Sequence, residues 1–289
     1  MNNRDVIITL CSYLCIGDDV KPYTTKEWST IASKLLNNKK QPKDLLSFSN
    51  EEFIQILNFT DEDIVRIKRL FARSASLTFE IEKLNGRGIN IITRADALYP
   101  KILKMKLSTK CPPLFYYCGN LEILNNKFIG FVGSRNIDDD DVEFVQRIVK
   151  KCVESGYGIV SGGAKGIDRV SATVTLNENG YVVEFLSDSL IRRIKDNEVI
   201  NAIRNGKMLL LSQTIPSAGF DVGTAMQRNK YIYSISDATI VVKSDYNKGG
   251  TWSGAKEAIK EKYTNVLCWN NLSYIGNQEL INLGANKID

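Results

Sequence analysis

Small, glycine-rich or basic residues stand directly behind four short apolar runs of this chain. Gly133-Ser134-Arg135 follows Phe128–Val132, and Ser161-Gly162-Gly163-Ala164-Lys165-Gly166-Ile167-Asp168 follows Gly158–Val160. Ser212-Gln213 follows Met208–Leu211, while Lys243-Ser244 and then Lys248-Gly249-Gly250-Thr251 follow Thr239–Val242. The chemistry such residues support is anion binding. Glycine lets backbone amides approach a ligand closely, and a helix starting behind the loop presents free N–H groups. Arg135 and Lys165 would add charge-assisted bonds to phosphate oxygens. Plainer readings exist for each. Ser161-Gly162-Gly163 fits a tight strand-to-helix turn equally well, and Arg135 fits an ion pair with one of Asp138 to Asp141. Those four aspartates suit the first turn of a helix, and they make that helix end a poor seat for an anion. A further segment, Met226-Gln227-Arg228-Asn229-Lys230-Tyr231-Ile232, sets two cations beside an aromatic. Cations that grip a backbone and aromatics that stack on unpaired bases are the means of single-strand binders. Taken alone, the segment reads as a solvated helix face with Tyr231 and Ile232 in the core.

Several chemistries are excluded. The 289 residues contain no histidine, which removes Ser–His and Cys–His nucleophilic pairs, histidine bases and histidine metal ligands together. The six cysteines, Cys11, Cys15, Cys111, Cys118, Cys152 and Cys268, include no CxxC pair. They read as buried free thiols of a reducing compartment. The Ser161–Asp168 loop has the look of a short-chain dehydrogenase loop, but no tyrosine has a lysine four residues on, as those enzymes require. A GxxxxGK[ST] phosphate loop is absent too. Neither a metal nor a cofactor is expected, and no catalytic constellation stands out.

The elements that must position these loops follow from periodicity. Residues 1–85 read as helical. Trp28, Ile31 and Leu35 form a stripe at helical spacing within Thr25–Leu36, and Ser49/Glu52 and Thr60/Asp63 have capping-box spacing. From residue 86 short apolar runs alternate with helical stretches. The strand candidates are Ile89–Ile92, Phe128–Val132, Gly158–Val160, Tyr181–Phe185, Met208–Leu211, Thr239–Val242 and Asn265–Trp269. Val142, Val145, Ile148, Val149 and Cys152 share one helical face between two of them. Continuous apolar strands alternating with helices predict a parallel sheet covered on both faces. The expected fold is α/β, a Rossmann-like, doubly wound domain over about 120–289. The domain division is 1–85, helical, and 86–289, extended Rossmann. In such a sheet ligands bind beyond the carboxyl ends of the strands, so the loops should converge on one edge. A hydrophobic share of 43% and a charged share of 25% are those of a folded globular chain. The net charge of +5 tolerates an anionic partner without demanding one. No basic leader precedes the first apolar stretch, and no run of about 18 apolar residues occurs, so the chain is expected in the cytoplasm and off the membrane.

Taken in order and spacing, Gly133-Ser134-Arg135, the SGGAKGID run of 161–168, Arg228-Asn229-Lys230-Tyr231-Ile232 and Ser236-Asp237 resemble the signature of the DprA/Smf family. So do Asp96-Ala97-Leu98-Tyr99-Pro100 and the PPLFYYCGN run of 112–120 upstream. Gly249-Gly250-Thr251, Ala255, Ala258, Gly276-Asn277, Leu280-Ile281 and Gly284-Ala285 match downstream. The resemblance covers roughly 86–289. It implies an extended Rossmann fold that binds single-stranded DNA in a basic pocket, dimerises, and helps load a RecA-type recombinase during natural transformation and DNA recombination. Carried over, Arg135 and Lys165 would hold phosphates, with Arg228 and Lys230 lining or supporting the pocket. Gly133, Gly162, Gly163 and Gly166 would shape it. Lys243 and Lys248 are added as further DNA contacts, and Ser134, Ser161, Asn229, Gly249, Gly250 and Thr251 as pocket formers. The chain departs from the family at Arg169-Val170-Ser171-Ala172-Thr173, where an Ala-His pair is usual, and at Ser212-Gln213, where Ser-Glu is usual. The alternative is a Rossmann-like nucleotide sensor related to the phosphoribohydrolases, working in defence. Lys248-Gly249-Gly250-Thr251 resembles their PGGxGTxxE loop, but without its proline and with Gly254 where the catalytic glutamate would stand.

Overall fold

The structure is a computed structural model that describes residues 1–15 and 20–289. The chain divides into two compact units. One holds Met1–Tyr99, Leu107–Tyr117 and Gln213–Ile215; the other holds Pro100–Lys106, Cys118–Ser212 and Pro216–Asp289.

The first unit is mainly helical: α1 (Asn3–Cys11), α2 (Thr25–Asn37), α3 (Asn50–Leu57), α4 (Asp61–Ala72) and α5 (Ser74–Asn85). Polar caps set where they start. Ser49 accepts from the Glu52 N–H while the Glu52 carboxylate accepts from the Ser49 N–H, and Thr60 and Asp63 make the same reciprocal pair. Each box satisfies two N–H groups that the helix itself cannot. Trp28, Ile31 and Leu35 are buried on one face of α2. The Arg73 guanidinium donates to the carbonyls of Thr9, Ser12 and Leu14, which closes the carboxyl end of α1. The unit also contains β1 (Asn90–Thr93), paired antiparallel with Leu114–Tyr117 of β2 (Leu114–Gly119). Buried Ser12 and Tyr116 share a hydroxyl–hydroxyl bond of 2.7 Å. A short helix, α6 (Lys101–Leu107), lies between the two strands in sequence.

The second unit carries the parallel sheet. Its elements run β3 (Phe128–Val132), α7 (Asp139–Glu154), β4 (Gly158–Ser161), α8 (Ile167–Asn177), β5 (Val182–Leu186), α9 (Leu190–Arg193), α10 (Asn197–Arg204) and β6 (Met208–Ser212). The chain then continues through α11 (Val222–Ile235), β7 (Ala238–Val241), α12 (Gly249–Glu261), β8 (Asn265–Trp269), α13 (Ile275–Asn282) and β9 (Asn286–Ile288). These strands lie in the order β6-β5-β4-β3-β7-β8-β9, every neighbouring pair parallel. Strands β3, β4, β5 and β6 are buried at every residue, as a sheet covered on both faces requires. On one face Phe144, Val145, Ile148 and Val149 of α7 pack with Ile129, Phe131, Ile159 and Ile240. The fold is the doubly wound α/β fold that the alternating pattern predicts.

Strand order sets the place of the site. The chain winds outward from β3 to β6, then crosses back to lay β7 on the other side of β3. The direction of winding therefore reverses between β3 and β7, and a crevice opens there beyond the strand ends. The loops after β3 and β7 form its two sides.

Candidate functional site

A cavity of about 470 Å³ occupies this crevice. Gly133, Ser134 and Arg135 line it from the end of β3, Ala164 and Asp168 from the β4–α8 turn, and Lys243, Lys248, Gly249, Gly250 and Thr251 from the β7–α12 segment. Helix α11 closes it with Met226, Arg228 and Asn229. Three of the four expected strand ends thus meet. Ser212 and Gln213, behind β6, are not part of this lining, because β6 stands three strands away from β3.

Close approaches hold the loops in register. The Thr251 hydroxyl donates to the Gly133 carbonyl at 3.1 Å, tying the start of α12 to the end of β3. The Asn229 amide donates to the Gly250 carbonyl at 3.1 Å, tying α11 to the same turn. Gly166 holds φ +76°, and a Cβ there would stand 2.3 Å from the Ser134 carbonyl oxygen. Any side chain would force the β3 and β4 loops apart. Gly133 is equally confined, with a Cβ position 2.5 Å from Ile167.

The cations fall into distinct classes. Arg228 is buried, and its guanidinium fills the space above Gly162: a Cβ on that glycine would lie 1.2 Å from Nη1. Its counter-charge is Asp168, 3.8 Å away, whose carboxylate also accepts from the N–H groups of Gly162 and Ala164. Burial raises the Asp168 carboxyl above the usual range and depresses the Arg228 guanidinium; each opposes the shift of the other. The nearby charge of Arg135 adds to the strain on Arg228. Arg228 is therefore a fixed part of the floor, paired with Asp168 and with its Nε unpaired.

Lys243 lines the cavity but is committed elsewhere. It contacts Asp138 and Asp141 at 2.8 Å each and lies 4.8 Å over the Tyr274 ring. Burial pulls its ammonium down, yet the hydrogen bonds to the two aspartates outweigh this and hold it above its ordinary value. The acidic first turn of α7, a capping box of Asp138 and Asp141, is thus answered by Lys243 rather than by Arg135. Lys230 pairs with Glu257 at 3.0 Å, bracing α11 against α12, and lies outside the cavity lining.

Arg135, Lys165 and Lys248 are exposed, and none forms an ion pair among the described residues. Arg135 lies 5.2 Å over the ring of Phe220, which is half exposed at the cavity edge. Lys165, Gly162 and Gly163 line an adjoining cavity that shares Arg135, Ala164 and Phe220 with the first. Ser161 is buried beneath the turn, its hydroxyl without a partner. Helices α8 and α12 begin here with no side-chain cap; the Ile167 N–H of α8 is taken by the Ser134 carbonyl at 3.3 Å, while the first N–H groups of α12 face the cavity without a cap. A second acid, Asp245, lines the first cavity beside Asp168. The arrangement offers free cations, one uncapped helix start and close backbone, features that suit a phosphate.

Sequence reasoning missed two participants. Asp168 was legible only as the last letter of a motif, because its carboxylate reaches back six and four residues to the Gly162 and Ala164 N–H groups, which is no standard local pattern. Phe220 had no signal, being a lone aromatic in an irregular stretch. Among the described residues no helix is long and apolar enough to cross a membrane, and no acidic or cysteine cluster suits a metal.

Known proteins resemble the chain along the same span. The family model of the DNA recombination-mediator protein A matches residues 90–289. Protein Smf of Synechocystis is 27% identical over 191 residues, 64% of this chain, which spans 46% of that relative's length. The X-ray structure of DNA processing protein A from Streptococcus pneumoniae superposes with a TM-score of 0.75 at 21% identity, covering 100% of this chain and 95% of that one. DNA processing protein A from Helicobacter pylori, solved for its single-stranded DNA binding mode, gives 0.58 at 23% identity over 69% of this chain and 90% of its own.

Proposed function

The chain belongs to the DNA recombination-mediator protein A family, and from that premise we propose that it binds single-stranded DNA across the strand ends of its parallel sheet. The observation that carries this reading is Arg135: a cation without an ion pair, over an exposed aromatic, at the mouth of a cavity where α12 starts uncapped. Phosphates would lie against Arg135, Lys165 and Lys248, over backbone N–H groups, with a base against Phe220. Arg228 supports from below, and Lys243 and Lys230 hold the surrounding helices. Base edges meet few fixed polar side chains in this reading, so sequence preference is weak and salt dependence strong. Binding without catalysis, a homodimer, and the loading of a recombinase onto incoming strands complete the proposal, on the strength of the resemblance.

The test is fluorescence anisotropy with labelled oligo-dT at low and moderate salt, against a matched duplex. Tight, salt-sensitive binding that prefers the single strand supports the reading; absence of binding at low salt removes it. A second reading has one observation in its favour, a cavity of about 470 Å³, which is the size of a small-ligand site, roughly 300–1,000 Å³. A nucleotide sensor would be stabilised against heat by a free nucleotide while ignoring oligo-dT.

A further inference from the structure

The adjoining cavity, of about 490 Å³, has in its wall Arg193, whose partner is an acid buried in the sheet. Glu184 is completely buried in β5, among Val182, Val183, Phe185 and Leu186, where a covered parallel strand ordinarily carries apolar residues. Its carboxylate accepts from Arg193 Nε at 2.8 Å and Nη2 at 2.7 Å, and the third edge of that guanidinium, Nη1, reaches Asp196 at 3.0 Å. A buried ion pair of this kind adds little or nothing to stability over an apolar pair of the same volume, so its use is to fix a charge in place. The charge it fixes is in the cavity wall: Arg193 lines the cavity, only 10% exposed. The glycine turn is shaped around the same carboxylate, since a Cβ on Gly163 would lie 2.6 Å from Glu184 Oε2. Arg192, the preceding residue of α9, pairs with Asp188, and Arg169 of α8 pairs with Asp196 at 3.0 Å; Lys165, unpaired among the described residues, completes the five cations of the lining against these two acids. The wall is cationic, and Phe220 with Arg135 divides it from the first cavity.

We propose that this second cavity is a subsite for a further phosphate-bearing nucleotide of the same strand, so that one unit grips two successive nucleotides on either side of Phe220. Arg192, Arg193 and Lys165 face that second phosphate, and Glu184 is the positioning residue that presents Arg193. The inference rests on the reading of the first cavity as a single-strand site, and it adds the length of the footprint and the residues that set it.

The experiment is a competition ladder. Thymidine 5′-phosphate and its di-, tri- and tetranucleotides displace labelled oligo-dT from the full chain and from two variants. Arg192→Ala removes an exposed side chain and leaves the fold alone. The double variant Glu184→Gln with Arg193→Gln removes both charges together, so that neither is left buried without a partner. In the unaltered chain the affinity should step up by about tenfold or more from the mononucleotide to the dinucleotide, the size of one charge-assisted contact. Both variants should lose most of that step while binding the mononucleotide as before. A step of unchanged size in both variants, or an unaltered chain indifferent to length, overturns the second subsite but leaves single-strand binding standing. Failure to bind long oligo-dT at all overturns the reading of the first cavity, and this inference with it.

Discussion

Arg228, Lys243 and Arg135 are three basic side chains of one crevice with three different duties, and substitutions should separate them. Arg228→Ala would leave Asp168 buried without its cation, a change that costs about 3–5 kcal/mol in comparable pairs; chemical denaturation would show it. Gly162→Ala should produce a smaller version of the same defect, about 1–3 kcal/mol, because the methyl group needs the space the guanidinium holds. Lys243→Met leaves Asp141, which has no exposed surface, with only its hydrogen bonds to Tyr274 and the Asp138 N–H. A loss of about 1–3 kcal/mol is expected, with a much smaller effect on DNA affinity than Arg135→Ala. The cluster also sets a pH dependence. Lys243 hydrogen bonds hold the Asp138 carboxyl below its ordinary value. A carboxyl lowered by folding stabilises the fold above its unfolded value and stops doing so as pH falls through the lowered one. Lys243→Met should therefore flatten the acid limb of the stability curve, and an acid limb identical in both chains would contradict the assignment. The sequence named all three residues but could not sort them, since their partners lie 60 to 105 positions away along the chain.

Local signals located the elements well wherever a periodic apolar pattern met a cap or a turn. Ser49/Glu52 and Thr60/Asp63 cap the helices that their spacing predicts, and Phe128–Val132 and Asn265–Trp269 are the strands expected. Thr60→Ala should cost about 1 kcal/mol, the usual worth of such a cap, and leave DNA binding untouched; a change in affinity would mean that the first unit contributes to the site. Strand β9 escaped because it is three residues long and largely exposed, too short for any period to register. Strand β2 lies in the PPLFYYCGN run, where its first three residues are buried in succession and the alternation that marks a strand is lost. The segment around Arg228 reads as a solvated helix face with Tyr231 and Ile232 in the core; α11 does bury those two, but it buries Arg228 as well, so the face is not a solvated one. Its importance comes from where β3 and β4 place it. The strand end after β5 went unread although it carries the second cavity, because Ser187-Asp188 has neither glycine nor cation and Arg192-Arg193 comes only afterwards.

At the scale of the whole molecule, the reversal of winding between β3 and β7 brings scattered loops together; the alternation of strands and helices made the parallel sheet and its strand-end edge legible, but not the strand order that selects which loops meet. Less legible was how the helical unit completes itself: it runs on to Tyr99 and includes Leu107–Tyr117, through the β1–β2 pair. A chain lacking residues 1–85 would leave the buried Tyr116 hydroxyl without Ser12 and take α1 and α5 off β1, whose Ile91 and Ile92 are buried here. It should be markedly less stable or insoluble, as thermal unfolding and sedimentation would report. The central claim is that free cations at the strand ends hold the backbone of a single strand. Its most direct test is the slope of log affinity for oligo-dT against log salt, measured for the unaltered chain and for Arg135→Ala. Loss of one phosphate contact should lower affinity for every sequence alike and flatten the slope by about 0.7. An affinity and a slope that do not change on removing Arg135 would contradict the account.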